Sequence, residues 1–336
     1  MKIALVHRRF TTNGGTERYL VGLTRFLVGA GHEVVVLANE VREDLRAEPG
    51  VRFVPLPMWR PAKSLSLAWS VRRALRAERF DAIFGLGRHT GHHLYRAGGG
   101  SHEDYLRRAH RWRRWAWPGE WIERALDRAA VLDARICIAN SELGARGLSA
   151  YGARRVEVVY NGVDLQRFCP APLVRAEVRQ ELGASGPIAV FVGNGFVRKG
   201  LDRALAALPE DWGLWVVGGD PPVAAPSRVR FLGGQRHPER FLQSADVLVL
   251  PTRYDPFANV CLEAMACGIP ALTTSANGAA EVLPEPWMVC DDEAALRAAF
   301  GRLTPELGAR CRAVAELYPP ERSYRRALEL LVEASR

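Results

Sequence analysis

One pattern occurs twice in this chain and leaves few folds open: an apolar strand, a glycine-bearing loop, then a helix. Residues 3–7 form a short apolar run that leads through Arg8-Arg9-Phe10 into Thr11-Thr12-Asn13-Gly14-Gly15. A helical period follows over residues 16–28, with Tyr19, Leu20, Leu23, Phe26 and Leu27 on one face. About 185 residues later, residues 188–193 are again an apolar strand, followed by a loop at 194–198 and a helical pattern over 199–208. Between these starts lie strand patterns at 34–37, 51–55 and 82–85 and a helix at 65–77. After the second start come strands at 214–218, 229–232, 247–250 and 271–274, with helices at 238–244 and 260–266. Strands buried on both faces read as unbroken apolar runs, and their alternation with helices predicts the α/β class with parallel sheets. The repeat predicts two Rossmann-like domains, 1–168 and 187–320, with the proline- and glycine-bearing stretch 169–186 as linker.

Composition removes several alternatives. A length of 336 residues suits two cores of ordinary size, and 48% apolar with 25% charged residues excludes disorder. No apolar run approaches the roughly 18–20 residues that cross a bilayer. Residues 1–7 are too short a run for a secretory signal, so a cytoplasmic chain, soluble or attached to a surface from that side, is expected. Six cysteines are scattered without a C-x-x-C pair, which speaks against zinc ribbons and disulfide frameworks. The formal charge of +9 rests almost wholly on arginine, since lysine occurs only at Lys2, Lys63 and Lys199. Neither half carries G-x-G-x-x-G after its first strand, so no dinucleotide cofactor is expected.

The most informative segment is Tyr254-Asp255-Pro256-Phe257-Ala258-Asn259-Val260-Cys261-Leu262-Glu263. A strand at 247–250 ends in a loop, and Asn259 stands where a helix N-cap is expected. Unpaired amides and the positive end of the dipole make such a helix start an anion site. Carboxylates beside it repel phosphate and suit neutral hydroxyls, which is what Asp255 and Glu263 offer. On spacing alone, Glu263 serving the helix dipole and Asp255 turning the chain before Pro256 remain open.

Asp255-x7-Glu263 followed by Ala264-Met265-Ala266-Cys267-Gly268-Ile269-Pro270 resembles the E-x7-E segment of the retaining glycosyltransferases of family 4. Three other segments agree in order and spacing. They are Asn13-Gly14-Gly15-Thr16-Glu17-Arg18, the turn at 158–168, and Phe191-Val192-Gly193-Asn194-Gly195-Phe196-Val197-Arg198-Lys199-Gly200. The resemblance implies the GT-B fold, two facing Rossmann-like domains with a cleft between them. Acceptor would bind the first domain and nucleotide sugar the second, with a C-terminal helix (321–336) packing back on the first. The variants at 191–200, 254–260 and 95–106 are most similar to the enzymes that add glucose to a heptose of the lipopolysaccharide inner core.

Roles follow from the resemblance residue by residue. Arg198 and Lys199 would neutralise the donor diphosphate and the leaving UDP. Glu263 would hold the ribose and Asp255 the hydroxyls of the donor sugar. Asn194 and the amides of Phe257, Ala258, Asn259 and Val260 would meet sugar or phosphate. Gly14 and Gly15 would let backbone approach the diphosphate, and His102 would sit by the 6-hydroxyl of the reacting sugar. Three positions depart from the family: Asp255 for glutamate, Asn194 for arginine and Gly99 for aspartate. The first shortens a reach by one methylene, the second leaves Arg198 to supply a charge, and the third leaves Glu103 and Asp104 as the nearest acids.

Retention of anomeric configuration is implied, with glucose passing from UDP-glucose to a lipid-linked glycan acceptor. No D-x-D occurs, so neither metal nor other cofactor is expected, UDP-sugar being a co-substrate. His89-Thr90-Gly91-His92-His93 lacks acids at ligand spacing and reads as a solvated or acceptor-facing loop. Residues 105–128 hold seven arginines and four of nine tryptophans, including Arg107, Arg108, Arg111, Trp112, Arg113, Arg114, Trp115, Trp117 and Trp121. A lipid-linked acceptor favours an anionic membrane surface as their partner, not nucleic acid, although stacking on bases or a packed hairpin would use the same residues. Two other readings stay open: a family 4 enzyme with another donor and acceptor, and a non-catalytic basic surface-binding protein that kept the fold.

Overall fold

Every side chain of Lys2–Val6 (β1) after Lys2 is buried, because a strand hydrogen-bonds to neighbours on both sides and helices cover both faces. The chain was analysed as a computed structural model that describes residues 1–12, 14–109, 118–219 and 226–336. It divides into two units, Met1–Tyr160 with Pro320–Arg336, and Asn161–Pro319.

In the first unit a short pair, Arg9–Phe10 (β2) and Glu40–Val41 (β4), stands beside the main sheet. That sheet consists of β1, Glu33–Ala38 (β3), Val51–Pro55 (β5), Ala82–Gly85 (β6), Leu94–Arg96 (β7), Ile136–Ala139 (β8) and Val156–Val158 (β9). Its order is β5-β3-β1-β6-β7-β8-β9 and every pairing is parallel. One face is covered by the helix Gly15–Gly29, whose Leu20, Leu23 and Leu27 meet Ile3, Leu5, Val34 and Val36. The other is covered by Lys63–Ala77, whose Val71 joins Ala4, Val6, Val35 and Leu37. The last helix, Pro320–Ser335, adds Ala327, Leu330, Leu331 and Ala334 to the first of these cores. Full burial of one leucine is worth about 1.5–3 kcal/mol, so Leu330 and Leu331 anchor this segment firmly. Gly22 allows the approach, for a Cβ there would fall 2.1 Å from the Tyr324 hydroxyl.

The second unit has a parallel sheet of five strands in the order β12-β11-β10-β13-β14. They are Ile188–Val192 (β10), Gly213–Val217 (β11), Val229–Gly233 (β12), Val247–Leu250 (β13) and Ala271–Thr273 (β14). In both sheets the chain starts in the middle, builds outward one way and returns to build the other way. The reversal lies between β1 and β6 in one unit and between β10 and β13 in the other. Loops leaving the carboxyl ends of those strands diverge there and open a crevice.

Three expectations need correcting. The stretch 169–186 is not simply a tether: Pro172–Glu181 is a helix held to the second unit by Arg175, which reaches Asp246 at 2.5 Å and the Ala245 carbonyl at 2.7 Å. The segment 194–208 is not one loop followed by one helix. Phe196–Lys199 is already a helical turn, and Gly200 at φ 77° separates it from Leu201–Ala207. The 89–93 loop is not solvated at His89 and His92, both of which are buried. Among the described residues, no helix is long and apolar enough to cross a membrane.

Candidate functional site

The crevice of the second unit is flanked by the loops after β10 and β13, the two segments singled out in the sequence. Gly200 permits their closeness, since a Cβ there would lie 2.1 Å from the Pro251 carbonyl oxygen. Gly218 does the same after β11, where a Cβ would lie 2.2 Å from the Gly193 carbonyl oxygen. Asn194 closes the first loop by accepting the Gly219 amide at 2.9 Å.

The turn Phe196–Lys199 then delivers two cations to one carboxylate. Lys199 Nζ donates to Asp255 Oδ2 at 2.6 Å, and Arg198 Nη1 donates to the same oxygen and to the Tyr254 carbonyl, both at 2.9 Å. Asp255 Oδ1 accepts the Phe257 amide at 3.2 Å. Burial alone would raise the Asp255 carboxyl, but the Lys199 ammonium and the Arg198 guanidinium hold it below its ordinary value. Two positive charges thus share the Asp255 carboxylate.

Asn277 fixes the loop from behind. Its Oδ1 accepts the amides of Ala258 at 3.0 Å and Ala279 at 3.1 Å, and its Nδ2 donates to Thr273 Oγ1 at 3.0 Å. The helix that follows is Asn259–Ala266, and its cap is Ala258, which supplies no side-chain acceptor. The expected cap, Asn259, is the first helical residue instead, because its side-chain oxygen accepts from Asn161 Nδ2. Of the four amides expected to meet a ligand, Phe257 and Ala258 are thus spent inside the loop. Asn259 and Val260, in the first turn, are the two that an uncapped helix start leaves for an anion. Glu263 is buried in the same helix.

A cavity of about 340 Å³ occupies the matching edge of the first sheet, with Val6, Arg8, Arg88, Arg96, Gly98 and Glu123 in its wall. Arg88 Nη1 meets Glu123 Oε2 at 2.6 Å, its Nε meets Asp127 Oδ1 at 3.3 Å and its Nη2 meets His102 Nδ1 at 3.1 Å. His102 Nε2 faces Glu120 Oε2 at 2.7 Å, and the His102 amide donates to Asp127 Oδ2 at 2.8 Å. Both ring nitrogens of His102 are therefore engaged within this unit, and neither is turned to a sugar hydroxyl. Burial, then the neighbouring Asp127, raises Tyr95 well above the usual phenol value, so it stays protonated. Burial and the neighbouring His92 push His89 down to about 3.

The structure brings Lys199, Arg198 and Asp255 into contact, puts Phe257 and Ala258 in the same loop and Asn259, Val260 and Glu263 in the helix after it, and ties Asn194 to the Gly219 amide. Gly14 and Gly15 lie in the first unit, at the start of Gly15–Gly29. A Cβ on Gly14 would fall 2.2 Å from Glu17 Oε2, so the Glu17 carboxylate, held by Arg9 at 2.8 Å, already sits at that helix start. Arg107 and Arg108 are exposed near the end of His102–Ala109, and Trp121 is exposed on Pro118–Asp133. Arg111, Trp112, Arg113, Arg114, Trp115 and Trp117 lie outside the described residues. Arg88, Glu123, Asp127 and Asn277 were not picked out from the sequence. For two of them a signal existed: Glu120, Glu123 and Asp127 recur at helical spacing and form an acid stripe on one face.

Two family models match the chain, Glycosyltransferase Family 4 over residues 13–167 and Glycosyl transferases group 1 over residues 186–305. A probable transglycosylase of Burkholderia thailandensis is 29% identical, with all of this chain and 98% of that protein aligned. The lipopolysaccharide core biosynthesis glycosyltransferase LpsD of Rhizobium meliloti is 29% identical over 90% of this chain and 88% of its own length. Among solved structures, WaaG, a glycosyltransferase involved in lipopolysaccharide biosynthesis, superposes with a TM-score of 0.83 at 20% identity, covering 98% of this chain and 99% of WaaG. That likeness makes the fold GT-B, two Rossmann-like domains.

Proposed function

The chain belongs to the family 4 and group 1 glycosyltransferases, and from that premise we propose that it moves glucose from UDP-glucose to an inner-core heptose of lipopolysaccharide, with retention and without a metal. The observation that carries the donor half is the pair Lys199 and Arg198 on the single carboxylate of Asp255, beside a helix start with no side-chain cap. A pyrophosphate brings more negative charge than Asp255 can supply, and it finds cations already oriented. As the bond from the anomeric carbon to the phosphate oxygen breaks, charge grows on the departing UDP, where Lys199 and Arg198 stabilise it. The acceptor hydroxyl oxygen bonds to the same carbon from the same face, and its proton passes to the leaving phosphate oxygen. No strong protein base is needed in that scheme. Asp255 acts here chiefly by positioning the two cations, since both of its oxygens are already engaged.

The acceptor half rests on the cavity of the first unit, whose wall carries Arg8, Arg88, Arg96 and Glu123, polar groups that suit the many hydroxyls of a sugar. The similarity to LpsD supports lipopolysaccharide as the acceptor class. A lipid-linked acceptor places the enzyme at the inner face of the cytoplasmic membrane, with the basic aromatic segment 105–128 against anionic headgroups. The shorter Asp255 in place of glutamate favours testing other donors beside UDP-glucose. A thermal-shift panel of nucleotide sugars, followed by UDP release with truncated lipopolysaccharide, tests the reading. Stabilisation by UDP-glucose and acceptor-dependent UDP release are expected. A panel in which no nucleotide sugar raises Tm would overturn the donor assignment.

A further inference from the structure

A basic and aromatic surface exists outside 105–128. No aspartate or glutamate occurs between Glu48 and Glu78, while Arg52, Arg60, Lys63, Arg72, Arg73 and Arg76 do. Most of that stretch is the helix Lys63–Ala77 and the turn before it. The inner side of the helix packs Val71 against the sheet. Its outer side is not polar, as a solvent face would be: Leu65 is 49% and Trp69 62% exposed, one turn apart. Trp59, 66% exposed, is tied to the first turn of the helix, for its amide donates to Ser66 Oγ at 3.0 Å. Among the described residues, none of Arg60, Lys63, Arg72, Arg73 and Arg76 makes an ion pair, whereas Arg52 is paired with Glu78.

Exposed indoles and a leucine beside unpaired cations on one short helix are costly in water and gain at an interface. We propose that Trp59, Leu65 and Trp69, with the cations of Lys63–Ala77, form a docking surface for an anionic lipid bilayer. Charge complementarity selects the occupant: Arg60, Lys63, Arg72, Arg73 and Arg76 are exposed and, among the described residues, unpaired, and the stretch between Glu48 and Glu78 supplies no acid, which suits phosphate headgroups and repels basic partners. Leu65 offers nothing to a nucleic acid, and Arg73 lies over the Trp69 ring at 5.6 Å, where a base would have to stack. An indole with its guanidinium fits headgroup depth, and the leucine reaches the acyl boundary. The inference deepens the membrane part of the proposed function, and it places the contact on a different element from 105–128.

The test uses the full chain in flotation with vesicles of phosphatidylcholine, with and without phosphatidylglycerol, at low and high salt. The parent chain is expected to float with the anionic vesicles only and to be released by salt. Trp59→Ser/Leu65→Ser/Trp69→Ser is expected to weaken that binding at least about tenfold, and Arg72→Glu/Arg73→Glu/Arg76→Glu equally. Both sets lie on the surface, so Tm and any stabilisation by UDP-glucose should be unchanged. Undiminished flotation of both variants overturns the proposal, as does equal binding of the parent to neutral vesicles. Displacement by a single-stranded oligonucleotide that the variants no longer bind overturns it in favour of nucleic acid. A parent that floats but shows no shift with any nucleotide sugar sinks the donor reading and leaves this surface standing.

Discussion

The two units place different charge arrangements at the same point of the same topology. Beyond β10 and β13, two cations converge on one carboxylate. In the first unit, beyond β1 and β6, the network around one guanidinium, Arg88, and one imidazole, His102, holds three carboxylates, Glu120, Glu123 and Asp127. The two parallel sheets therefore place their loops alike, and the loops differ in the charges they carry. Cations gathered on one carboxylate suit a pyrophosphate, and a mixed network of arginines and carboxylates suits a polyol.

The sharpest way to break this comparison is to remove one cation. Lys199→Ala should lower turnover by roughly 10²–10³, the usual cost of deleting one preorganised charge donor at a developing oxyanion. Acceptor-dependent UDP release measures it, and full activity would remove Lys199 from the donor site. Asp255→Asn is expected to cost less, on the order of 10² in kcat, because the cations remain but lose their orientation. Free UDP should bind the Asp255→Asn variant as tightly as the parent or more tightly, since a competing negative charge is gone. If Asp255 instead reads the donor sugar, UDP affinity will stay level while discrimination among UDP-sugars collapses.

Histidines sharpen the same contrast on a smaller scale. Seven of the eight fall in the first unit, and His237 alone lies in the second. His89 is buried neutral, with a folded value near 3 against an ordinary 6.5, so the unfolded chain binds the extra proton between those values. Stability should then rise with pH across that window by about 1.4 kcal/mol per unit for this one group, and be lost as pH falls through it. In the second unit, Asp255 is held below its ordinary value of 3.8, so its stabilising contribution survives until the pH falls lower. Hydrogen exchange followed from pH 7 to 4 should show β1 and β6 losing protection before β10 and β13. His89→Phe should flatten the first slope, and an unchanged slope would assign the acid sensitivity elsewhere.

Strands such as 188–192 and 247–250 were legible because a doubly covered parallel strand reads as an unbroken apolar run, whereas β7, β8 and β9, only three or four residues each, were not picked out. The loops after β1 and β10 were legible through their glycines. What the sequence hid is pairing across long separations. Asp255 and Lys199 are 56 residues apart and Arg88 and Asp127 are 39 apart, and nothing local announces either contact. Asn259 misled for a related reason: it has the chemistry of a cap, but Asn161 competes for its side chain from a distant turn. Gly195 and Gly200 concealed a helical turn because glycine is the ordinary mark of a loop, whereas here it bounds Phe196–Lys199 on both sides.

The smallest effect comes from the missing cap. A helix that begins at Asn259 without a side-chain acceptor forgoes stability that serine, threonine or aspartate at residue 258 would supply. Such an omission makes sense where the free amides have another partner. Ala258→Ser adds a single oxygen at a buried site, accepting from the first turn, and should stabilise the second unit by about 0.5–1 kcal/mol. The same hydroxyl would compete with phosphate for those amides, so UDP affinity should fall roughly threefold, the equivalent of about 0.65 kcal/mol. Calorimetric Tm and titration with UDP on one preparation read both quantities. A rise in Tm with UDP affinity intact would mean that the helix start plays no part in gripping the diphosphate, and the grip would then rest on Lys199 and Arg198 alone.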